Sequence, residues 1–134
     1  MRKHEIEQLI RSLGIGATYR GYHYLVYGVS LCMDNEDYLL SVGKLLYTRI
    51  AEAYSTTGSS VERDIRTVIR ICWERGNRPL LQEIAMYPLH ARPTAGEFFD
   101  ILAITLTISC VQRPVFRFSS HHLKVVLRFF RFLL

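Results

Sequence analysis

The sequence has no uninterrupted apolar run approaching the roughly 18 residues that a membrane-spanning helix requires. Its longest candidate, Ile101 to Val111, is broken by Thr105, Thr107 and Ser109. The first residues, Met1-Arg2-Lys3-His4-Glu5-Ile6-Glu7, turn acidic before any signal-peptide core begins, so no secretory targeting is expected. Cysteine is scarce. Cys32, Cys72 and Cys110 are widely spaced with no Cys-x-x-Cys pair, which argues against zinc ribbons and dithiol redox chemistry. They are expected to be free, buried thiols of a cytoplasmic protein. His4, His23, His90, His121 and His122 are scattered and form no ligand spacing, and there is no P-loop, no Gly-x-Ser-x-Gly and no assignable carboxylate pair. No enzyme, metal or cofactor is expected. Asp34-Asn35-Glu36-Asp37 lacks the glycine and distal glutamate of a calcium loop, and reads as a helix cap with acids in the first turn.

Acidic residues are also missing, but only from one end. The 134-residue chain carries a net charge of +5, and the whole excess lies beyond Cys110 in Arg113, Arg117, Lys124, Arg128 and Arg131. Residues 1–110 are formally neutral. Global charge therefore cannot support a nucleic-acid reading there; only local clustering can. The length and the 49% hydrophobic content suit one domain with one core, expected over 1–110, followed by a basic apolar tail at 111–134. In the tail, Lys124, Arg128 and Arg131 share one helical face among Val125, Val126, Leu127, Phe129, Phe130, Phe132, Leu133 and Leu134. That segment suits a membrane surface or a partner, an end without a selected role, or packing on the core.

Helical periodicity dominates the remainder, and the expected fold is all-α. Ile6, Leu9, Ile10 and Leu13 mark a helix stopped by Gly14. Gly21 to Met33, rich in tyrosine and aliphatics, reads as a largely buried helix. Tyr38, Leu39, Val42, Leu45, Leu46, Ile50 and Ala53 continue an apolar pattern to Tyr54 that fits one long helix or two. Leu80 to Met86 makes a short helix, Tyr87 to Pro93 a loop, and Thr94 with Glu97 fits a capping box opening a last helix rich in Phe and Ile.

Between Ser59 and Trp73 the pattern is clearest. Ser59 with Glu62 matches a capping box, and Val61, Ile65, Val68, Ile69, Cys72 and Trp73 form one apolar stripe. Arg63, Arg66 and Arg70 fall three and four apart and share another face with Glu62 and Thr67. A helix, a short glycine-bearing turn at Ser55-Thr56-Thr57-Gly58, and a helix with basic outer residues is the sequence form of a helix-turn-helix. The expected DNA-contacting residues are Ser59, Ser60, Glu62, Arg63, Arg66, Thr67 and Arg70. Taken alone, Glu62 and Arg66 would equally suit an ordinary i,i+4 surface pair.

Five blocks stand in a shared order: Arg20-Gly21-Tyr22-x-Tyr24-Leu25, Lys44-Leu45-Leu46-Tyr47, Thr56-Thr57-x-Ser59-x-Val61-Glu62-Arg63-x-Ile65-Arg66, Trp73-x-Arg75-Gly76-Asn77 and Pro93-Thr94-x-x-Glu97-Phe98. The segment from about Ile6 to Leu102 resembles the C-terminal effector domain of the stage-zero sporulation response regulator of endospore-forming bacteria. The resemblance implies a compact bundle of about six helices, double-stranded DNA as partner, homodimers on tandem sites, and contact with an RNA polymerase sigma factor. It assigns base and phosphate contacts to Glu62, Arg63 and Arg66. The chain departs from the family pattern at Ser60 and Thr67, where basic residues and histidine are usual, and at Asp64, where a small residue is usual. Its Asn77 to Pro93 segment is shorter, and it starts almost at the effector domain, so action without a receiver domain is expected. The expected function is sequence-specific transcriptional regulation. The competing expectation is a protein-interaction module that dimerises with, and modulates, a full-length regulator.

Overall fold

The computed structural model describes residues 2–110. The expectations for the tail at 111–134 and for His121 and His122 lie outside the described residues. Among these there are seven α-helices, one π-helical turn and no strand, which makes the fold all-α as expected. No helix among them is long and apolar enough to cross a membrane.

Helix α1 (Arg2–Ser12) turns Ile6, Leu9 and Ile10 inward and ends at Gly14, whose φ of +88° gives the left-handed C-terminal cap that glycine adopts without a Cβ penalty. Helix α2 (Arg20–Asp34) is the centre of the domain. Tyr22, Tyr24, Leu25, Val26, Val29 and Cys32 are buried on several of its sides, and α1, α5 and α7 all pack against it. This is why its sequence shows no clean polar face.

The acidic run that follows leads into a helix whose N-cap position, Glu36, makes no side-chain capping bond. Asn35 Oδ1 accepts the Asp37 backbone N–H at 2.9 Å and opens the single-turn α3 (Asp37–Leu40). The apolar pattern from Tyr38 to Tyr54 is then divided. Ser41 leaves helical geometry with φ −147° and ψ 71°, Val42–Leu46 forms a π-helical turn, and α4 (Tyr47–Ala53) resumes the regular period. A wider turn rotates the residues it carries relative to the helix beyond it. Leu46 and Ile50 are therefore buried, whereas Leu45, expected inside, is 47% exposed and Ala53 faces solvent.

Helix α5 (Gly58–Glu74) buries Val61, Ile65, Val68, Ile69, Ile71 and Cys72 against α2, α4 and α7, and leaves Trp73 half-buried at its end. Its start corrects the sequence reading. The cap is Thr57, whose Oγ1 accepts the Ser60 N–H at 3.1 Å, so Ser59 lies inside the first turn and Glu62 reaches forward to Arg66 instead of back. The same sequence signature does form at α7 (Ala95–Cys110). There Glu97 N–H donates to Thr94 Oγ1 at 3.2 Å and Thr94 N–H donates to Glu97 Oε1 at 3.1 Å. On α7, Phe98, Phe99, Ile101, Leu102 and Leu106 are buried, and the buried Thr105 hydroxyl is satisfied by the Ile101 carbonyl at 2.6 Å.

Asn77 joins three elements. Its N–H donates to the Leu13 carbonyl at 3.0 Å, its Nδ2 to the Ser12 carbonyl at 3.2 Å, and its Oδ1 caps α6 (Arg78–Ile84) by accepting the Leu80 N–H at 3.2 Å. The approach requires glycine on both sides. A Cβ at Gly76 would stand 2.5 Å from the Leu13 carbonyl oxygen, and one at Gly14 would stand 2.7 Å from Gly76 Cα. The end of α1 is thereby fixed to the end of α5.

Thr57→Ala removes the real cap of α5 and should cost about 1 kcal/mol in urea unfolding, whereas Ser59→Ala should stay within about 0.5 kcal/mol. The reverse ranking would restore Ser59 as the cap. Burial pushes the Cys32 thiol up to about 12, with the Asp100 charge adding, and burial pushes Cys72 up to about 11. The folded state therefore holds these protons more tightly than the unfolded chain. That stabilisation is complete below the ordinary thiol value near 9.0 and is lost as pH climbs through 11 to 12. At about pH 8, where an ordinary thiol begins to ionise, iodoacetamide should leave Cys32 and Cys72 unmodified in the folded protein and alkylate both in urea, as read by peptide mass mapping. Equal labelling in the two states would contradict the burial.

Candidate nucleic-acid interface

All seven residues expected to contact DNA lie on α5, and the burial of its apolar stripe decides where each one points. Ser59, Glu62, Arg63, Arg66 and Arg70 are exposed, and Ser60 and Thr67 are half-buried at the edge of the same surface. The arginine side chains reach well into solvent, 70% exposed for Arg63 and 66% for Arg66. Two of the polar groups are already engaged with the helix itself. Ser60 Oγ accepts from the Thr57 hydroxyl at 3.0 Å, and the Thr67 hydroxyl donates to the Arg63 carbonyl at 2.9 Å. Thr67 therefore offers a methyl group and a spare acceptor, not a free donor.

Arg66 Nη2 donates to Glu62 Oε1 at 2.7 Å, the i,i+4 pair that the spacing allows. An exposed pair of this kind is worth a few tenths of a kcal/mol, whereas a bidentate arginine contact to guanine is worth about 1–3 kcal/mol. The pair therefore keeps both side chains on the outer face without preventing their use. Arg70 has no ion pair among the described residues. Three other arginines serve the fold. Arg2 donates to Asp34 and to the Ser30 carbonyl, both at 2.7 Å. Arg11 lies over the Tyr22 ring, and Arg78 lies over the Trp73 ring at 4.2 Å while donating to the Trp73 carbonyl. Arg63, Arg66 and Arg70 differ from the exposed Arg20, Arg49, Arg75 and Arg92 in standing together on one face of one helix.

Asp64 does not share that face. The sequence places it next to the arginines, but its side chain is only 20% exposed and Oδ2 is buried with no hydrogen-bond partner among the described residues. The nearest cation is its neighbour, with Arg63 Nε 3.8 Å from Asp64 Oδ1.

The support beneath the surface was less visible in the sequence. Tyr47, at the start of α4, is buried; desolvation pushes its hydroxyl up to about 12, with the Glu62 charge adding and Arg66 opposing. Helix α4 packs directly against α5, the helix-turn-helix relation. The connection is short: Ser55 takes a positive φ of 52° and the Thr56 N–H donates back to the Ala51 carbonyl at 3.0 Å. At the other flank, a Cβ on Gly21 would collide with the Asp64 carbonyl oxygen, so the start of α2 lies against α5 and sets the exposed Arg20 beside it. Tyr47 and Arg20 were legible only as parts of motif blocks, since neither contributes to the periodicity of α5.

Among the described residues no group of three or more His, Cys, Asp or Glu side chains could hold a metal ion. The surface offers guanidinium, carboxylate and hydroxyl groups on a rigid helix, which is chemistry for hydrogen bonding to a polyanion and its bases.

The family model described as the C-terminal domain of the sporulation initiation factor Spo0A matches residues 6–106. The match takes in most of α1, all of α2 to α6 and most of α7, and with them the helix-turn-helix and every residue of the exposed arginine face. The chain belongs to the Spo0A C-terminal family, the DNA-binding effector domain that regulates sporulation transcription.

Proposed function

We propose that this chain is a sequence-specific DNA-binding transcriptional regulator that lays α5 in the major groove. The observation that carries the reading is the division of α5: its stripe from Val61 to Cys72 is buried, and Arg63, Arg66 and Arg70 project together on the outside. Arg63 and Arg66 suit guanine O6 and N7, and Glu62 suits the amino group of cytosine. Ser59, Ser60, Thr67 and Arg70 flank them and suit the phosphate backbone, which positions the helix without specifying sequence. Partners and place follow from the family resemblance. The chain acts in the cytoplasm, binds tandem sites as a homodimer, and meets a sigma factor through the segment between α6 and α7, where Met86 and Tyr87 are exposed.

Fluorescence anisotropy with a labelled duplex carrying the family's box, beside a scrambled duplex, tests this reading. Arg66→Ala should weaken binding to the box by about tenfold or more and reduce the preference over scrambled DNA. Arg70→Ala should weaken both duplexes alike and lower the salt dependence by about one counterion. If the wild-type chain binds box and scrambled duplex equally, the proposal fails.

A further inference from the structure

We infer that Asp64 sets the affinity of the DNA surface by holding the Arg63 guanidinium back, so that a phosphate or base must take Arg63 from it. The inference rests on the reading of α5 as the DNA-contacting helix. Adjacent residues on a helix do not share a face. Asp64 accordingly turns away from the outer surface, and Arg63 Nε stands 3.8 Å from its Oδ1 while the Arg63 side chain stays 70% exposed.

The position is mechanically fixed. Gly21 lies against the Asp64 carbonyl, and a Cβ there would also stand 2.8 Å from Val68 Cγ1, so the backbone carrying Asp64 is clamped between helices. One carboxylate oxygen is out of water with no donor among the described residues, and Arg63 is the one cation within ion-pair distance among them. The remaining carboxylate of this surface, Glu62, is occupied by Arg66. Attraction between charges strengthens as water is excluded, so a carboxylate four-fifths removed from solvent competes with phosphate better than an exposed one would. Asp64 thereby works from beneath the surface on a single arginine, rather than as a general repulsive charge facing the duplex.

A double-mutant cycle on the full chain separates these two modes. Wild type, Asp64→Asn, Arg63→Ala and the double variant are titrated with the labelled box duplex at several salt concentrations. Asp64→Ala serves as a second variant should the asparagine disturb folding, since the family usually has a small residue here. Glu74→Gln, at the far end of α5, controls for loss of negative charge in general. Removing the carboxylate should tighten binding about three- to fivefold and steepen the salt dependence by about one counterion. Neither change should occur in the Arg63→Ala background or with Glu74→Gln. Equal tightening with and without Arg63 overturns the proposal in favour of bulk repulsion. Weaker binding by both Asp64 variants overturns it by making Asp64 a support for Arg63. A wild-type chain without preference for the box overturns the DNA reading itself and this proposal with it.

Discussion

The apolar stripe of α5 leaves water only by packing against α2, α4 and α7, and that burial decides which side chains of α5 remain outside. Val61, Ile65, Val68, Ile69 and Cys72 are each almost completely covered. Covering a large aliphatic side chain stabilises by about 1.5–3 kcal/mol, far above the few tenths of a kcal/mol available to any surface ion pair on the same helix. The core therefore sets the rotation of α5 about its axis, and the outward direction of Arg63, Arg66 and Arg70 follows. A rotation by one residue would bring an arginine into the apolar interior, where an unpaired charge is prohibitively costly.

Rotation alone would leave α5 free to slide along its partners. Its position is set at both ends and in the middle. Thr57 caps its start, and Gly21 of α2 abuts it at Asp64. Beyond its end, Asn77 binds the last carbonyls of α1 through a contact that only the glycines at 14 and 76 permit. The arginine face is thus presented by a clamped helix, which lowers the conformational entropy that binding would otherwise cost. The same clamp makes Asp64 unusual, because a carboxylate is held where the backbone cannot carry it back into water.

Much of this was legible in the sequence, for definite physical reasons. Helical periodicity revealed α1 and α5 because a buried stripe has to repeat near 3.6 residues, whereas α2 showed itself by apolar and tyrosine content on several of its sides. Gly14 marked a helix end because its φ is positive, and Thr94 with Glu97 formed the reciprocal cap that their spacing implies. The identical signature at Ser59 and Glu62 misled, since Thr57 was also competent to cap and Glu62 had Arg66 one turn ahead. Spacing lists the bonds a residue is able to make; the competing partner decides which one forms. The π-helical turn at Val42–Leu46 was hidden for another reason, because an added residue in one turn shifts the period without removing apolar residues from the pattern. Contacts distant in sequence, such as Asn77 with Ser12, leave no local trace at all. At the site, the exposure of the arginines was readable, and the burial of the Asp64 carboxylate was not, because its neighbours in sequence do not determine it.

The central claim is that the outer face of α5 distinguishes one DNA sequence from another. Selection of the full chain against a randomised duplex pool, followed by sequencing of the retained DNA, tests it most directly because it presupposes no box. One short motif enriched over the input, and lost when the selection is repeated with the Arg63→Ala/Arg66→Ala chain, is the predicted result. A pool retained without an enriched motif, or the same motif recovered by both chains, would contradict it.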